Sequence, residues 1–393
     1  MLSRALSITL LAGLALCLLV VLPQAAAQSA TSINEYPLPN GATSIDAMAI
    51  DSSGNIWMAQ SSPAVLYEYV VSENLFKSHP IPTNTQAMIR GMSVYGNSYV
   101  WMADGGADQI IGYDIANNKF YNFTFPPPLQ LDVSSVVSDG SNLWVGCNME
   151  LGQIGIYTDN LTDHYVDSYT ADISDLAMDR QGNIWFVEAN SGMVGGYYVG
   201  ADKPLLFPIP TSASEPTFCA LDSQGRLWFI ESAVNQLGMF DTNLKTFKEI
   251  PMPVIDGKQV VAKQLAVDSD DNVWISDLAN DRLIKYYPLK NVFVPVYLNG
   301  SKVYPNLIEN DNDQIWFIES GKAALAEIQT DSLFGLTPTA TPKPAASTNA
   351  TAVPTGTATP TAKPTPKPSP GFGIGAGLVA LAALLVIAKK ASR

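Results

Sequence analysis

Tryptophan recurs at intervals of 41 to 46 residues along this 393-residue chain, at Trp57, Trp101, Trp144, Trp185, Trp228, Trp274 and Trp316, with none left over. A period near 43 is far longer than a helical heptad and matches a unit of four short strands, the blade of a propeller. The context of each tryptophan recurs too. Ile50-Asp51-Ser52-Ser53-Gly54-Asn55-Ile56-Trp57 returns as Met178-Asp179-Arg180-Gln181-Gly182-Asn183-Ile184-Trp185 and as Leu221-Asp222-Ser223-Gln224-Gly225-Arg226-Leu227-Trp228. The aspartate can cap its own turn and glycine tolerates the positive φ that closes it, so each copy predicts a hairpin whose second strand carries the tryptophan. Copies six and seven place Asp271-Asn272 and Asn312-Asp313 where glycine would stand.

Nine residues after each tryptophan an aliphatic side chain returns (Leu66, Ile110, Val194, Leu237, Leu283, Leu325; Ile154 is one place late). Three residues further an aromatic follows at Tyr69, Tyr113, Tyr197, Phe240 and Tyr286, with Tyr157 again one late. These mark a third strand. A fourth is expected around Phe76, Phe120, Phe207, Phe247 and Phe293, commonly running into proline, which suits an outermost edge strand. The seventh copy stops after its third strand near Ile328, while Ile33-Asn34-Glu35-Tyr36-Pro37 reads as a fourth strand without a blade. The two fragments complete one blade and close a ring. The fold class is therefore all-β, a seven-bladed β-propeller over residues 28–335 closed by its N-terminal strand. The tryptophans are expected to pack between neighbouring sheets and carry no chemistry.

Both ends of the chain read as membrane signals. Arg4, an apolar stretch from Leu6 to Leu22 and the small residues Ala25 to Ala27 follow the order of a secretory signal peptide, assigned to 1–27. Residues 336–370 are almost entirely Thr, Pro, Ala, Ser and Lys, too poor in apolar bulk to pack, and are expected to form a disordered stalk. Residues 371–388 are uncharged and long enough for a transmembrane helix, and the basic tail 389–393 is placed on the cytoplasmic side. The propeller is thus expected at the extracellular face of the cell membrane, anchored at its C-terminus. Sequons at Asn122, Asn160, Asn299 and Asn349 would be candidate N-glycosylation sites there. Pro370-Gly371-Phe372 followed by an apolar helix and a basic end resembles the PGF-type sorting signal of archaeal surface proteins, which implies removal of the tail by an archaeosortase-like processing enzyme.

The net charge of −14 excludes a nucleic-acid partner, since a phosphate backbone would be repelled. No nucleophile elbow, phosphate-binding glycine loop or zinc spacing is present. The Gly-Asn-Ile-Trp-Phe-Val-Glu repeat of residues 182–188, with outer strands of the Glu249-Ile250-Pro251-Met252-Pro253 type, resembles the repeat of the streptogramin B (virginiamycin B) lyase family, itself related to NHL-type propellers. The resemblance spans residues 33–330. It implies elimination at the ester of a cyclic depsipeptide, with magnesium and histidines where the inner strands begin on the axial face. The corresponding positions here hold Asp46, Arg90, Ser134, Ser174, Thr217, Lys263 and Pro305, so the lyase activity does not transfer with the fold. The two histidines, His79 and His164, fall in outer-strand segments and read as solvated rim residues.

Acids recur three residues after the tryptophan, at Asp104, Glu188, Glu231, Asp277 and Glu319, with Gln60 and Cys147 completing the set. Strand polarity brings this position and the inner-strand starts to one rim of the channel. The acids are therefore candidate ligands for Mg²⁺ or Ca²⁺, or partners of Arg90 and Lys263. Asp46, Arg90 and Lys263 are the candidate ligand-mouth residues. Two functions follow: a non-catalytic binding module for a surface glycan, a peptide or an envelope protein, which the stalk favours, or a metal-dependent lyase or hydrolase acting on a cyclic ester or lactone.

Overall fold

The computed structural model describes residues 32–329, apart from positions 43, 84–85, 126–130, 149, 156–160, 166–171 and 313. The regions expected to be signal peptide, stalk, transmembrane helix and tail lie outside the described residues, as do Asn160, Asn349, Pro370, Gly371 and Phe372. Among the described residues no helix is long and apolar enough to cross a membrane.

The described residues form seven four-stranded antiparallel sheets, six with their strands in sequence order from the channel outward and the seventh with the N-terminal strand outermost. The inner strands are Ala47–Ile50, Ile89–Tyr95, Ser135–Ser138, Ile173–Met178, Pro216–Leu221, Ala262–Val267 and Pro305–Asp311. Every tryptophan sits on the second strand of its blade, the first being Ile56–Ser61 and the last Gln314–Glu319. The ring closes as the sequence requires: Ile33–Pro37 pairs antiparallel with Ala324–Gln329, Ile33 opposite Ile328 and Pro37 opposite Ala324. A further hairpin, Val254–Ile255 with Lys258–Gln259, is inserted before the sixth blade. Its Asp256-Gly257 turn has φ of 53° and 73°, the left-handed pair that closes a two-residue hairpin, and it accounts for the longest tryptophan interval.

All seven tryptophans are buried, five of them at no more than 1 % exposure. Five of them lean onto the next blade, against the third-strand aromatic that the repeat places there, while Trp274 packs with Ile328 of the seventh blade, where the repeat has no aromatic. Trp57 meets Tyr113 (ring centroids 5.7 Å), Trp144 meets Tyr197 (5.1 Å), Trp185 meets Phe240 (6.0 Å), Trp228 meets Tyr286 (5.8 Å), and Trp316 meets Tyr69 across the closure (6.0 Å). The indole therefore works between sheets. Burying about 200 Å² of aromatic surface at about 25 cal/mol per Å² makes each such spoke a term of several kcal/mol.

The turn aspartates do more than the sequence suggested. Besides capping its own hairpin, the carboxylate accepts the indole Nε1–H of its blade in five copies: Asp51 with Trp57 (3.0 Å), Asp139 with Trp144 (3.3 Å), Asp179 with Trp185 (3.0 Å), Asp222 with Trp228 (2.8 Å) and Asp268 with Trp274 (2.9 Å). Tyr95 occupies this place in the second blade and, by register, Asp311 in the one-residue-shorter hairpin of the seventh; the indole nitrogens of Trp101 and Trp316 find no acceptor there among the described residues. Asp268-Ser269-Asp270-Asp271-Asn272 is a turn of this type, its carboxylate also held by Lys285 at 2.9 Å.

One reading of the sequence needs correction. His79 is not a solvated rim residue. It lies half-buried between the first two blades, its Nδ1 hydrogen-bonded to the Tyr113 hydroxyl at 2.9 Å and its ring 4.8 Å from the tyrosine ring. Burial holds its pKa below the ordinary histidine value, against the opposing pull of Glu68. The side chain of His164 is outside the described set.

Candidate functional site at the axial channel

The inner strands are irregular where they begin. Pairing with the second strand slips between Ile89 and Gly91, Ile173 and Asp175, Thr217 and Cys219, Ala262 and Leu265, and Pro305 and Ile308. Such bulges release a residue from the ladder and re-aim its side chain. Arg90, Ser174, Phe218 and Lys263 are residues freed in this way, and Phe218 takes a left-handed φ of 45° to do it, a conformation unusual for so large a side chain.

An axial cavity of about 510 Å³ opens among these strands. Asp46, Arg90 and Lys263 all line it, so the three candidate mouth residues do converge on one space. Asp46 accepts the Ser61 N–H at 2.8 Å, Arg90 pairs with Asp132 at 2.7 Å, and the Lys263 ammonium lies 5.5 Å from the centre of the Phe218 ring. Arg90 and Lys263 are exposed, which leaves cationic groups presented to whatever enters. The other strand starts are used internally: the Ser134 hydroxyl donates to the Gly146 and Ile173 carbonyls, and that of Ser174 to the Val187 and Pro216 carbonyls.

The acids three residues after each tryptophan are not brought together. Each is fully buried within its own blade. Asp104 accepts from the backbone N–H of Met88 (2.8 Å) and Gly106 (3.1 Å) and from Gln109 Nε2 (2.8 Å). Asp277 accepts from Val261 N–H (2.9 Å) and Arg282 Nε (2.7 Å), Glu188 from the Ser191 hydroxyl, and Glu319 pairs with Lys322 at 3.0 Å. Gln60 plays the same part in the first blade, accepting from Ser44 N–H and donating to the Pro63 carbonyl. At Gln60, Asp104 and Asp277 the position ties the chain entering the blade to its second strand, whereas Glu188 and Glu319 hold the turn that follows that strand. Among the described residues no group of three or more His, Cys, Asp or Glu side chains has the arrangement to hold a metal ion, and the axial mouth does not fit the magnesium that the resemblance implies.

Two further acids line the cavity, and the alignment on tryptophan passed over both. Asp175, adjacent to the freed Ser174, accepts the N–H groups of Cys219 (2.8 Å) and Leu176 (2.9 Å), yet burial pushes its pKa up to about 6. Glu309 lies on the seventh blade, where burial, reinforced by the charge of Asp175, pushes it up to about 8. Burial and the same charge hold the Cys219 thiol well above its usual value, which keeps it a poor nucleophile. The register sets Glu309 opposite Trp316, where the other six blades set Ala49, Ser93, Val137, Ala177, Ala220 and Ala266, with no charge among them; the seventh hairpin is one residue shorter, so counting back from tryptophan misses this equivalence. A second cavity of about 730 Å³ opens at the opposite ends of the inner strands, among the hairpin turns of blades four to six, where Asp179, Asp222 and Asp268 are committed to their own turns and indoles.

The model of the virginiamycin B lyase family matches residues 133–355, more than half of the chain. Among solved structures, a virginiamycin B lyase from Staphylococcus aureus superposes with a TM-score of 0.68 at 17 % identity, covering 76 % of this chain and 99 % of that one. A catalytically inactive form of the same lyase with quinupristin gives 0.68 at 16 % identity, with 76 % and 99 % covered. YCF48 bound to the D1 peptide gives 0.62 at 15 % identity, with 78 % and 97 % covered. At these identities the structural likeness concerns the fold alone. No curated protein matches the chain.

Proposed function

The chain belongs to the virginiamycin B lyase family, and from that premise we propose that it is a non-catalytic binding module of the family, whose axial mouth takes a surface glycan, a peptide or an envelope protein. The observation that carries this reading is the convergence of Asp46, Arg90 and Lys263 on an open axial cavity, at the positions where the resemblance leads one to expect histidines. A mixed-charge mouth with presented cations is suited to anionic or polar ligands, and it offers no imidazole base for an elimination. Export by residues 1–27, display on the 336–370 stalk, N-glycosylation and C-terminal anchoring or sorting at Pro370-Gly371-Phe372 complete the proposal. They are supported by the composition of the two chain ends.

A second reading rests on Asp175 and Glu309. Two carboxyls that line one cavity from the fourth and seventh blades, raised by burial to about 6 and about 8, suit a proton acceptor and a proton donor for a lyase or hydrolase of cyclic esters. Incubation with quinupristin, followed by mass spectrometry, separates the readings. An unopened ring is expected. Ring opening that disappears in Glu309→Gln would overturn the binding-module reading in favour of the enzyme. Glycan and peptide arrays probed with the wild type and with an Arg90→Ala/Lys263→Ala variant test binding directly, with signal expected for the wild type and loss expected for the variant.

A further inference from the structure

Glu231 differs from the other acids at its position in the repeat. Like them it is 0 % exposed, but its carboxylate has neither an ion pair such as that of Glu319 with Lys322 nor backbone or amide donors such as those of Asp104, and only the Ser214 hydroxyl and another carboxyl stand beside it. Gln236 faces it across the strand pair, as Gln109 faces Asp104 and Arg282 faces Asp277, but Gln236 makes no bond to it. No basic side chain offsets its charge, whereas Asp277 has Arg282 and Glu319 has Lys322.

What stands beside Glu231 is a second carboxyl, that of Glu249, and the hydroxyl of Ser214. Ser214 is itself 0 % exposed, and its Oγ has no partner among the described residues apart from the Glu231 carboxyl it faces. The register explains the meeting of the two acids. Glu231 lies opposite Gln236 and Gln236 opposite Pro251, so Glu249, two residues before Pro251, shares the face of Glu231. The connection from the fourth blade is latched over them. Thr211 N–H donates to Glu249 at 2.8 Å, and the N–H groups of Ser232 and Ala233 donate to the carbonyls of Glu215 (3.2 Å) and Ser214 (3.1 Å). Holding this path takes left-handed backbone at Ala213 and Glu215, with φ of 53° and 48°. Strain of that kind persists where the surroundings impose it, and it concentrates at sites with a role.

The buried carboxyl of Glu231 and the half-buried one of Glu249, side by side without a base, repel one another unless a proton or a cation lies between them. We propose that Glu231, Glu249 and the Ser214 hydroxyl form a binding site for a divalent cation of the calcium class, beneath the connection between the fourth and fifth blades. Two carboxylates balance its charge, and an all-oxygen donor set suits a hard ion that completes its shell with water and carbonyls. The ion would fix the segment that leads into the fifth inner strand and, through it, the Phe218 ring against which Lys263 rests at the axial mouth. The site is separate from that mouth, so its failure leaves the binding reading untouched.

The test uses the full chain, dialysed against a chelator and melted with and without about 1 mM calcium chloride. Saturating calcium is expected to raise the melting temperature by about 5 °C. Glu249→Gln and Ser214→Ala are expected to abolish or weaken that rise, with the calcium midpoint displaced about tenfold or more in the serine variant, while Glu188→Gln keeps it. Terbium added in place of calcium should luminesce on tryptophan excitation, and more weakly in Glu231→Gln if that variant folds. A melting temperature indifferent to calcium overturns the site, whether or not it falls as pH rises past about 7 through loss of a shared proton. A calcium response unchanged in both Glu249→Gln and Ser214→Ala overturns it equally.

Discussion

Asp179 receives four hydrogen bonds, from the backbone N–H groups of Gln181 and Asn183, from Asn183 Nδ2 and from the Trp185 indole. One short side chain thereby fixes a turn and the tilt of the spoke that joins two blades. Asp179→Ala should lower stability by about 2–3 kcal/mol, because it leaves charge-assisted bonds unmade and a buried indole N–H without an acceptor; the urea midpoint measures it. Glu309 acts in the opposite sense. Its folded pKa of about 8 exceeds the ordinary 4.5, so the folded state binds more protons between those values and stability falls as pH rises through that window. The melting temperature should therefore be lower at about pH 9 than at about pH 6, and Glu309→Gln should flatten the decline.

At the scale of the element, glycine decides where the spokes fit. Gly196 pairs with Trp185 on the third strand, and a Cβ added there would lie 2.5 Å from Trp185 Cζ3. Gly196→Ala should cost about 1–3 kcal/mol by forcing the indole off its place against Phe240, seen as a lower melting temperature with near-ultraviolet circular dichroism altered. The bulges at the inner-strand starts are the elements that make the mouth. They turn Arg90 and Lys263 out of the ladder, and they also hide Asp175 from an alignment counted in residues, because a strand with an extra residue no longer keeps strict alternation.

At the scale of the whole molecule, the seventh blade is shared between the ends of the propeller. Removing residues 33–37 would leave Ala324–Gln329 with an unpaired edge and would expose the cluster in which Tyr36 packs on Trp316 and Tyr69. Such a variant should appear by size exclusion as oligomers or aggregate, with its melting transition lowered or lost. Supplying the strand as a peptide should restore part of the transition.

The blade count, strand order, ring closure and inter-blade role of the tryptophans were all legible in the chain, because period and pairing depend on local pattern repeated seven times. That Asp46, Arg90 and Lys263 line one cavity was foreseeable as well, since a propeller sends equivalent positions to one rim. Tertiary structure alone decided which charges are free. Sequence spacing set five acids at one position, but their donors come from neighbouring strands and loops, so Asp104 is held by hydrogen bonds and Asp277 by Arg282 while Glu231 is left with Glu249. It also raised Asp175 and Glu309 to titrate near neutrality, an effect of burial among the walls of a channel that exists only when seven blades stand around it.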